Sequence, residues 1–306
     1  MKHEKVSLIM VVHEDPPYIF KALESALPLV SEIVLVDIGI DKNLKTKLKE
    51  NKFGVPLRFV TVGEPVPYVE LVREETKKEA QFDYILFLDE DEELSAGLVE
   101  SLLHSIGKYD YFAFPRKNII FGKWVENSRW WPDYQVRLFR KSKVIWPKII
   151  HSQPQLTGNG LSLAQDERFA LIHHNYNTID QYLTKGMRYA KAQAKEKIAA
   201  SKPYNIVEAF NESISEFISR FFSDKGYKDG LHGLVLATLQ MFYTFLVFCY
   251  YFEYKKFEPI ENIDVNRAAK DFFEHGAYET NHWLNKEGIQ GGLSTIKSRI
   301  VNKLLK

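Results

Sequence analysis

Hydrophobic positions in the first third of the chain follow two alternating periods. Short, nearly continuous apolar runs at 6–12 (VSLIMVV), 32–39 (EIVLVDIG), 56–62 (PLRFVTV) and 84–89 (YILFLD) predict strands covered on both faces. Between them, 16–27 places Ile19, Leu23 and Leu27 at helical spacing, 43–54 reads as a short polar helix closed by Gly54, and 69–80 reads as a third helix. This alternation predicts an α/β, doubly wound sheet, whose ligands gather at the carboxyl ends of the strands. Asp37 and Asp89 both stand at such ends, and that coincidence says more than either acid alone.

Further along, 95–107 is helical in pattern with Ser95 as its N-cap, and 109–125 and 134–146 alternate like strands around the polar-aromatic stretch ENSRWWPDYQ. From Thr178 the pattern turns helical, opening on a capping box of Thr178 and Gln181, and it stays mostly helical to the end. The predicted division is therefore a catalytic α/β domain over 1–175 and a helical C-terminal region over 176–306.

Composition narrows the picture in three ways. Lys plus Arg number 41 against 40 for Asp plus Glu, so no global charge points to a nucleic-acid partner. The single cysteine, Cys249, excludes an internal disulfide and a cysteine-built zinc site, and it fits a reducing compartment. The N-terminus has a short apolar run but no small-residue cleavage site, and acids follow at once, so 6–12 is read as a core strand and not as a signal peptide.

The chemistry concentrates where the fourth strand runs into Asp89-Glu90-Asp91-Glu92-Glu93. In an extended or turning backbone, Asp89 and Asp91 can point the same way and share a divalent cation. Hard cations such as Mg²⁺ and Mn²⁺ take oxygen ligands, and Mg²⁺ commonly keeps water and substrate phosphates in its shell. The plainer reading is a solvated acidic turn, a role suited to Glu92 and Glu93 at the start of the next helix.

The stretches VSLIMVVHEDPPYIFKALESAL, EIVLVDIG and DYILFLDEDEEL together resemble a family 2 glycosyltransferase. WWPDYQVRLFR, WPKIIHSQ, HHNYNTIDQYLTKGMRYAKAQA and KGYKDGLHGLVLATLQMFYTFLVFCYYFE narrow the resemblance to the branch like lipopolysaccharide-core glucosyltransferases (WaaE-like), over about residues 5–255. The resemblance implies a GT-A fold, a Rossmann-like mixed sheet with a helical C-terminal region. It also implies a UDP-sugar donor, Mg²⁺ or Mn²⁺ at the D-x-D, and inversion at the anomeric carbon. Glu14 and Asp37 would contact the nucleoside, Asp89 would lie near the ribose and diphosphate, and Asp91 would hold the metal. The acceptor would be a glycan or glycolipid hydroxyl in envelope polysaccharide or lipopolysaccharide synthesis, at the inner face of the cytoplasmic membrane. Two departures stand out: His13 where many members have Asn, and IGIDKN in place of a Ser/Thr-rich turn after Asp37.

Inverting transfer needs a general base for the acceptor hydroxyl, and a carboxylate suits that task. Asp133, between Trp130-Trp131 and a strand-like run, is the candidate; the plain alternative is a turn acid after Pro132. Arg137 is expected to neutralise the leaving diphosphate or to form a structural ion pair. Either His151 or His174 could complete the metal shell or hold a phosphate oxygen. Lys185 and Arg188 share a helix face that could meet a diphosphate or simply be solvated.

No residue between Asp229 and Glu253 carries a formal charge, and a helix over 234–252 would reach about 28 Å, near the thickness of a bilayer core. Its Tyr, Phe and Gln content favours a membrane interface or protein packing over a span. At the end of the chain, Leu293, Ile296, Ile300 and Leu304 line one face of a basic amphipathic pattern suited to a membrane surface or to docking on the protein itself. Two competing readings remain. A nucleotidyltransferase of similar fold would need a Gly-rich or basic phosphate loop after the first strand, where HEDPPYI stands. A non-catalytic membrane-associated binding protein would be free to lose Asp89, Asp91 or Asp133, and all three acids are present.

Overall fold

The computed structural model describes residues 4–61, 70–147, 153–200, 204–258 and 263–288. The chain divides into two compact units. The first comprises Met1–Trp124 and Trp130–Asn175; the second comprises Val125–Arg129 and Tyr176–Lys306.

In chain order the first unit contains β1 (Val6–Glu14), α1 (Ile19–Ala26), β2 (Glu32–Ile40), α2 (Lys42–Glu50), β3 (Leu57–Thr61), α3 (Glu70–Thr76), β4 (Tyr84–Phe87), β5 (Glu92–Leu94) and α4 (Ala96–Ser105). It continues with β6 (Tyr111–Phe114), β7 (Arg116–Ile120), β8 (Lys123–Trp124), β9 (Gln135–Arg140), β10 (Val144–Ile145), β11 (Gln155–Leu156), β12 (Gly160–Ser162) and β13 (Leu171–Tyr176). The main sheet runs β12-β6-β9-β4-β1-β2-β3. Strands β3, β2, β1 and β4 are mutually parallel, while β9 is antiparallel to both β4 and β6, which makes the sheet mixed. A second sheet runs β5-β13-β7-β8.

The continuous apolar run of β1 follows from its two covered faces. Val6, Leu8, Met10 and Val12 pack with Ile19 and Leu23 of α1, Leu44 and Leu48 of α2, and Leu98 and Leu102 of α4. Ile9 and Val11 point the other way, into a cluster with Val72 of α3, Phe87, Phe139 and Trp146. Period-two alternation thus serves two cores at once. Ser95 caps α4 as expected, its hydroxyl accepting from the Leu98 amide at 3.3 Å.

One local expectation is corrected. Glu92 and Glu93 do not open a helix: they form β5, paired antiparallel with His173 and Ile172 of β13, and Glu92 has no exposed surface. The helix begins only after Ser95, whose hydroxyl caps it, because Glu92 and Glu93 are committed to the ladder with β13.

The second unit contains α5 (Ile179–Ala199), α6 (Ile206–Ile218), α7 (Leu231–Tyr254) and α8 (Val265–Lys286). Thr178 accepts from the Gln181 amide at 3.2 Å, and the Gln181 side chain reaches back to the Asn177 amide at 2.8 Å, a capping box displaced by one residue. Ala190, Ala194 and Ala209 let α5 and α6 approach Val247, Phe248 and Tyr251 of α7. By length and composition α7 could cross a membrane, with a mean hydropathy of 1.7 over a window only 28% buried. The fold class is therefore a mixed-sheet α/β unit with a helical C-terminal region. The amphipathic segment after residue 290 lies outside the described residues.

Candidate active site

Strand β4, interior to the main sheet, delivers Asp89 just past its carboxyl end, and the acidic run passes directly into β5 of the second sheet. Asp89 is gripped by two guanidiniums. Arg73 of α3 reaches both its oxygens at 3.0 Å, and Arg137 of β9 reaches Oδ2 at 2.6 Å. Arg137 also donates to Glu92 at 2.6 Å, and Arg116 of β7 lies 3.4 Å from the same Glu92 oxygen. Arg116 then donates twice to Asp133 Oδ2, at 2.9 and 2.5 Å. A continuous chain of alternating charge, Arg73–Asp89–Arg137–Glu92–Arg116–Asp133, therefore joins the D-x-D to the candidate base.

A second, polar route connects the same ends. His173 Nε2 stands 3.4 Å from Asp91 Oδ2, and its Nδ1 is 2.7 Å from Asn118 Oδ1. The Asn118 amide nitrogen donates to the Trp130 carbonyl at 2.7 Å and faces Asp133 Oδ2 at 3.3 Å. Because those two partners only accept, Asn118 must present its oxygen to His173, and His173 Nδ1 must carry the proton. That leaves Nε2 aimed at Asp91.

The electrostatics follow from these contacts. Burial pushes the Asp89 carboxyl up, but Arg137 and Arg73 outweigh it and hold the group well below its ordinary value. Burial likewise opposes ionisation of Asp133, and Arg116, Asn118 and Gln135 overcome it, so its pKa is lowered. Burial lowers the Arg137 pKa, and the Asp89 and Glu92 carboxylates more than reverse this. For Asp37 burial is again the largest influence, overridden by the amides of Ile40 and Gly39 at 2.9 and 3.0 Å and by Lys45 at 2.5 Å; the net shift is downward.

Several expected roles change. Arg137 does not face a departing diphosphate: it is 1% exposed and lies beneath the acids as the ion pair that supports them. Asp89 gives its oxygens to arginines, whereas Asp91 Oδ2 stands 3.4 Å from His173 Nε2. His174 does not join Asp91: its Nε2 meets Glu93 at 2.6 Å and its ring stacks on Tyr18 at 4.0 Å. The cause is strand parity, since adjacent residues of β13 point to opposite faces and His173 takes the inward position. His151 lies outside the described residues.

Glu14 ends β1 exposed and in the left-handed region, φ 58°, with its carbonyl held by the Asp41 amide at 2.9 Å. The two departures from the family pattern fit each other. A Cβ on Gly39 would stand 3.1 Å from the His13 ring, and Gly39 has φ 127°, so IGIDKN leaves room for His13.

Among the described residues no three His, Cys, Asp or Glu side chains converge as a ready-made metal cage. The donor set nonetheless fits a divalent cation that borrows ligands from a diphosphate. Asp91 and His173 would hold it, with His173 oriented by a hydrogen bond from its other nitrogen, as metal-bound histidines usually are. Arg73, Glu92, Arg116, Asn118 and His173 were not singled out from sequence as ligand-site residues. Arg116 and Asn118 carried little signal, because Lys117 stands between them and β7 opens on three consecutive polar residues.

No family model matches the chain. Two curated relatives, from Rickettsia felis and Rickettsia conorii, are each 23% identical over 259 residues, covering 79% of this chain and 88% of theirs; both are named as uncharacterized glycosyltransferases. Among solved structures, S. aureus TarS 1–349 is 14% identical over 85% of this chain and 94% of that one, with a TM-score of 0.40. GalNAc-T7 with UDP, GalNAc and Mn²⁺ is 18% identical over 39% of this chain and 23% of that one, with a TM-score of 0.29. Likenesses of that degree do not bear on function.

Proposed function

We propose that the chain is a glycosyltransferase that moves a sugar from a nucleotide-diphosphate sugar, with UDP as the nucleotide, to a hydroxyl of a glycan or glycolipid. The observation that carries this reading is the charged network joining Asp89 and Asp91 to Asp133. It supports reading Asp91 as a cation-binding acid and Asp133 as an ionised base of one site, at the carboxyl end of a strand. The names of the two Rickettsia relatives support the same class, and the residue pattern supports a GT-A, inverting, metal-dependent member.

In this reading Asp133 Oδ1, which accepts from Gln135 at 3.0 Å, uses its second lone pair to take the proton of the acceptor hydroxyl. The acceptor oxygen bonds to the anomeric carbon as the bond to the diphosphate breaks, and the electron pair leaves with UDP. Asp91 and His173 would hold a divalent cation, which when bound would supply Lewis-acid stabilisation of that leaving group. Arg116 keeps Asp133 ionised, and Arg73 and Arg137 fix Asp89 beside the donor. Asp37, already paired with its own turn, and Glu14 line the nucleoside side. Contact with the inner face of the cytoplasmic membrane belongs to the same proposal, supported by Leu231, Leu234 and Phe242, which α7 leaves exposed.

The test is calorimetry with UDP and Mn²⁺, followed by a nucleotide-sugar screen. Binding should need the metal and vanish in Asp91→Ala. Asp133→Asn should keep donor binding and lose roughly 10²–10⁴-fold in transfer; full transfer in that variant would overturn the base assignment. Release of pyrophosphate from a nucleoside triphosphate and a sugar phosphate, with no UDP released from any nucleotide-sugar, would favour a nucleotidyltransferase, and failure to pellet with anionic vesicles would remove the membrane contact.

A further inference from the structure

No Asp, Glu, Lys or Arg occurs in α7 before Glu253, yet the helix gives only one side to the protein interior. Leu236, Ala237, Val247, Phe248 and Tyr251 are buried, the last three against Ala190 and Ala194 of α5 and Ala209 of α6. Leu231, Leu234 and Phe242 are 73%, 40% and 48% exposed, and with Thr238 they fall at helical spacing on the other side. Thr238 is exposed too, and it turns its hydroxyl to the Leu234 carbonyl at 2.8 Å, so it adds no open donor to the stripe.

The start of α7 is fixed so that this stripe stays outward. Gly233, on the buried side, packs so closely on the 3₁₀ turn Gly226–Asp229 that a Cβ there would overlap the Gly226 carbonyl. The buried Asp229 carboxylate accepts the amides of Glu126 and Asn127 at 3.2 and 3.0 Å, and Asp224 pairs with Arg129 at 2.6 Å. Lys225 and Lys228 stand exposed beside the first turn of α7. Further cations run along α5: Arg188, Lys191 and Lys195 are exposed, and the last two lie over Tyr250 and Tyr254 of α7 at 5.1 and 5.8 Å. The acids Glu196 and Glu253 stand in the last turns of these two helices.

We infer that α7 lies along the surface of an anionic lipid bilayer, with Leu231, Leu234 and Phe242 at the acyl boundary and Lys225 and Lys228 among the headgroups. The inference rests on the membrane contact of the proposed function and adds to it the face, the orientation and the lipid charge. An apolar stripe bordered by lysine and tyrosine suits that boundary. The stripe enters the acyl layer, the ammonium groups meet lipid phosphates, and the phenol rings sit at headgroup level. The same packing argues against a span: α5 lies against α7, and its Arg188, Lys191 and Lys195 are strongly disfavoured in hydrocarbon.

The test is co-sedimentation of the full chain with vesicles of phosphatidylcholine alone and with added phosphatidylglycerol. Binding should need the anionic lipid and fall on the order of 10-fold in Lys225→Gln/Lys228→Gln. Leu231→Ser/Phe242→Ser should weaken it by on the order of 10-fold as well, with an unchanged circular-dichroism melt. Nitroxides are then placed singly in a Cys249→Ser background, through Leu234→Cys, Lys228→Cys and Lys255→Cys. On vesicles, ascorbate added outside should reduce the labels at 228 and 255 and spare the one at 234. Shielding of the label at 228 or at 255 would mean a span and overturn the inference. Rapid reduction at 234, or full binding by both double variants, overturns it too. So does self-association that Phe242→Ser abolishes while vesicle binding persists, which would assign the face to a second copy. A wild-type chain that pellets with neither vesicle removes the membrane contact itself, and the inference falls with it; pelleting with unaltered variants removes the inference alone.

Discussion

The sheet unit and the helical unit both surround cations, under different physical rules. At the sheet's edge, Arg137 is buried between Asp89 and Glu92, and each partner exists at that depth only because the others do. On the helices, lysines lie over tyrosine rings at the surface, as with Lys191 over Tyr250 at 5.1 Å and Lys195 over Tyr254 at 5.8 Å. Planar guanidinium groups can serve two carboxylates in a fixed geometry, whereas an ammonium on a flexible stem can cover an aromatic face and stay hydrated. The first arrangement specifies a site; the second shields a seam.

Breaking the buried side should have the largest effect. Arg137→Met strands Glu92 without its buried partner and should cost about 3–5 kcal/mol, read as a shift in a denaturant melt. Acid should come next. Asp89 and Asp133 have folded pKa values below the unfolded value of about 3.9, so their contribution is complete above that pH and fades as pH falls through the folded values. Thermal melts from pH 7 to 3 should therefore steepen downward below about pH 4, and less so in Asp133→Asn. The helical side should respond least: Lys191→Ala should change stability by less than about 1 kcal/mol. A larger loss would show that the lysine–tyrosine seam specifies structure as the arginine network does.

Much of the sheet was legible because burial on both faces leaves a plain mark, an unbroken apolar run ended by an acid. Asp37, Asp89 and Asp133 could be found for the same reason, as charges at the edges of such runs. Arg137 was visible with two roles open, a diphosphate contact or a structural ion pair, because a strand's alternation gives its face and not its depth; the ion pair is the one formed. His173 and His174 show the complementary limit: only His174 was weighed, and which of the two turns inward depends on pairing with β5, a strand hidden inside what looked like a helix start. Segment 125–129 was illegible on any local rule, since its partners lie about a hundred residues further on.

The pairing of β13 with β5 has one more consequence. Which imidazole serves the D-x-D depends on whether the count of residues from the Ala170 turn is even or odd. A single deleted residue there would bring His174 to the place of His173, and a single inserted one would bring Ile172 there instead, while leaving composition and hydrophobicity almost untouched. The arrangement thus rests on parity: the length of the chain before β13, as much as the identity of its residues, sets which side chain faces Asp91.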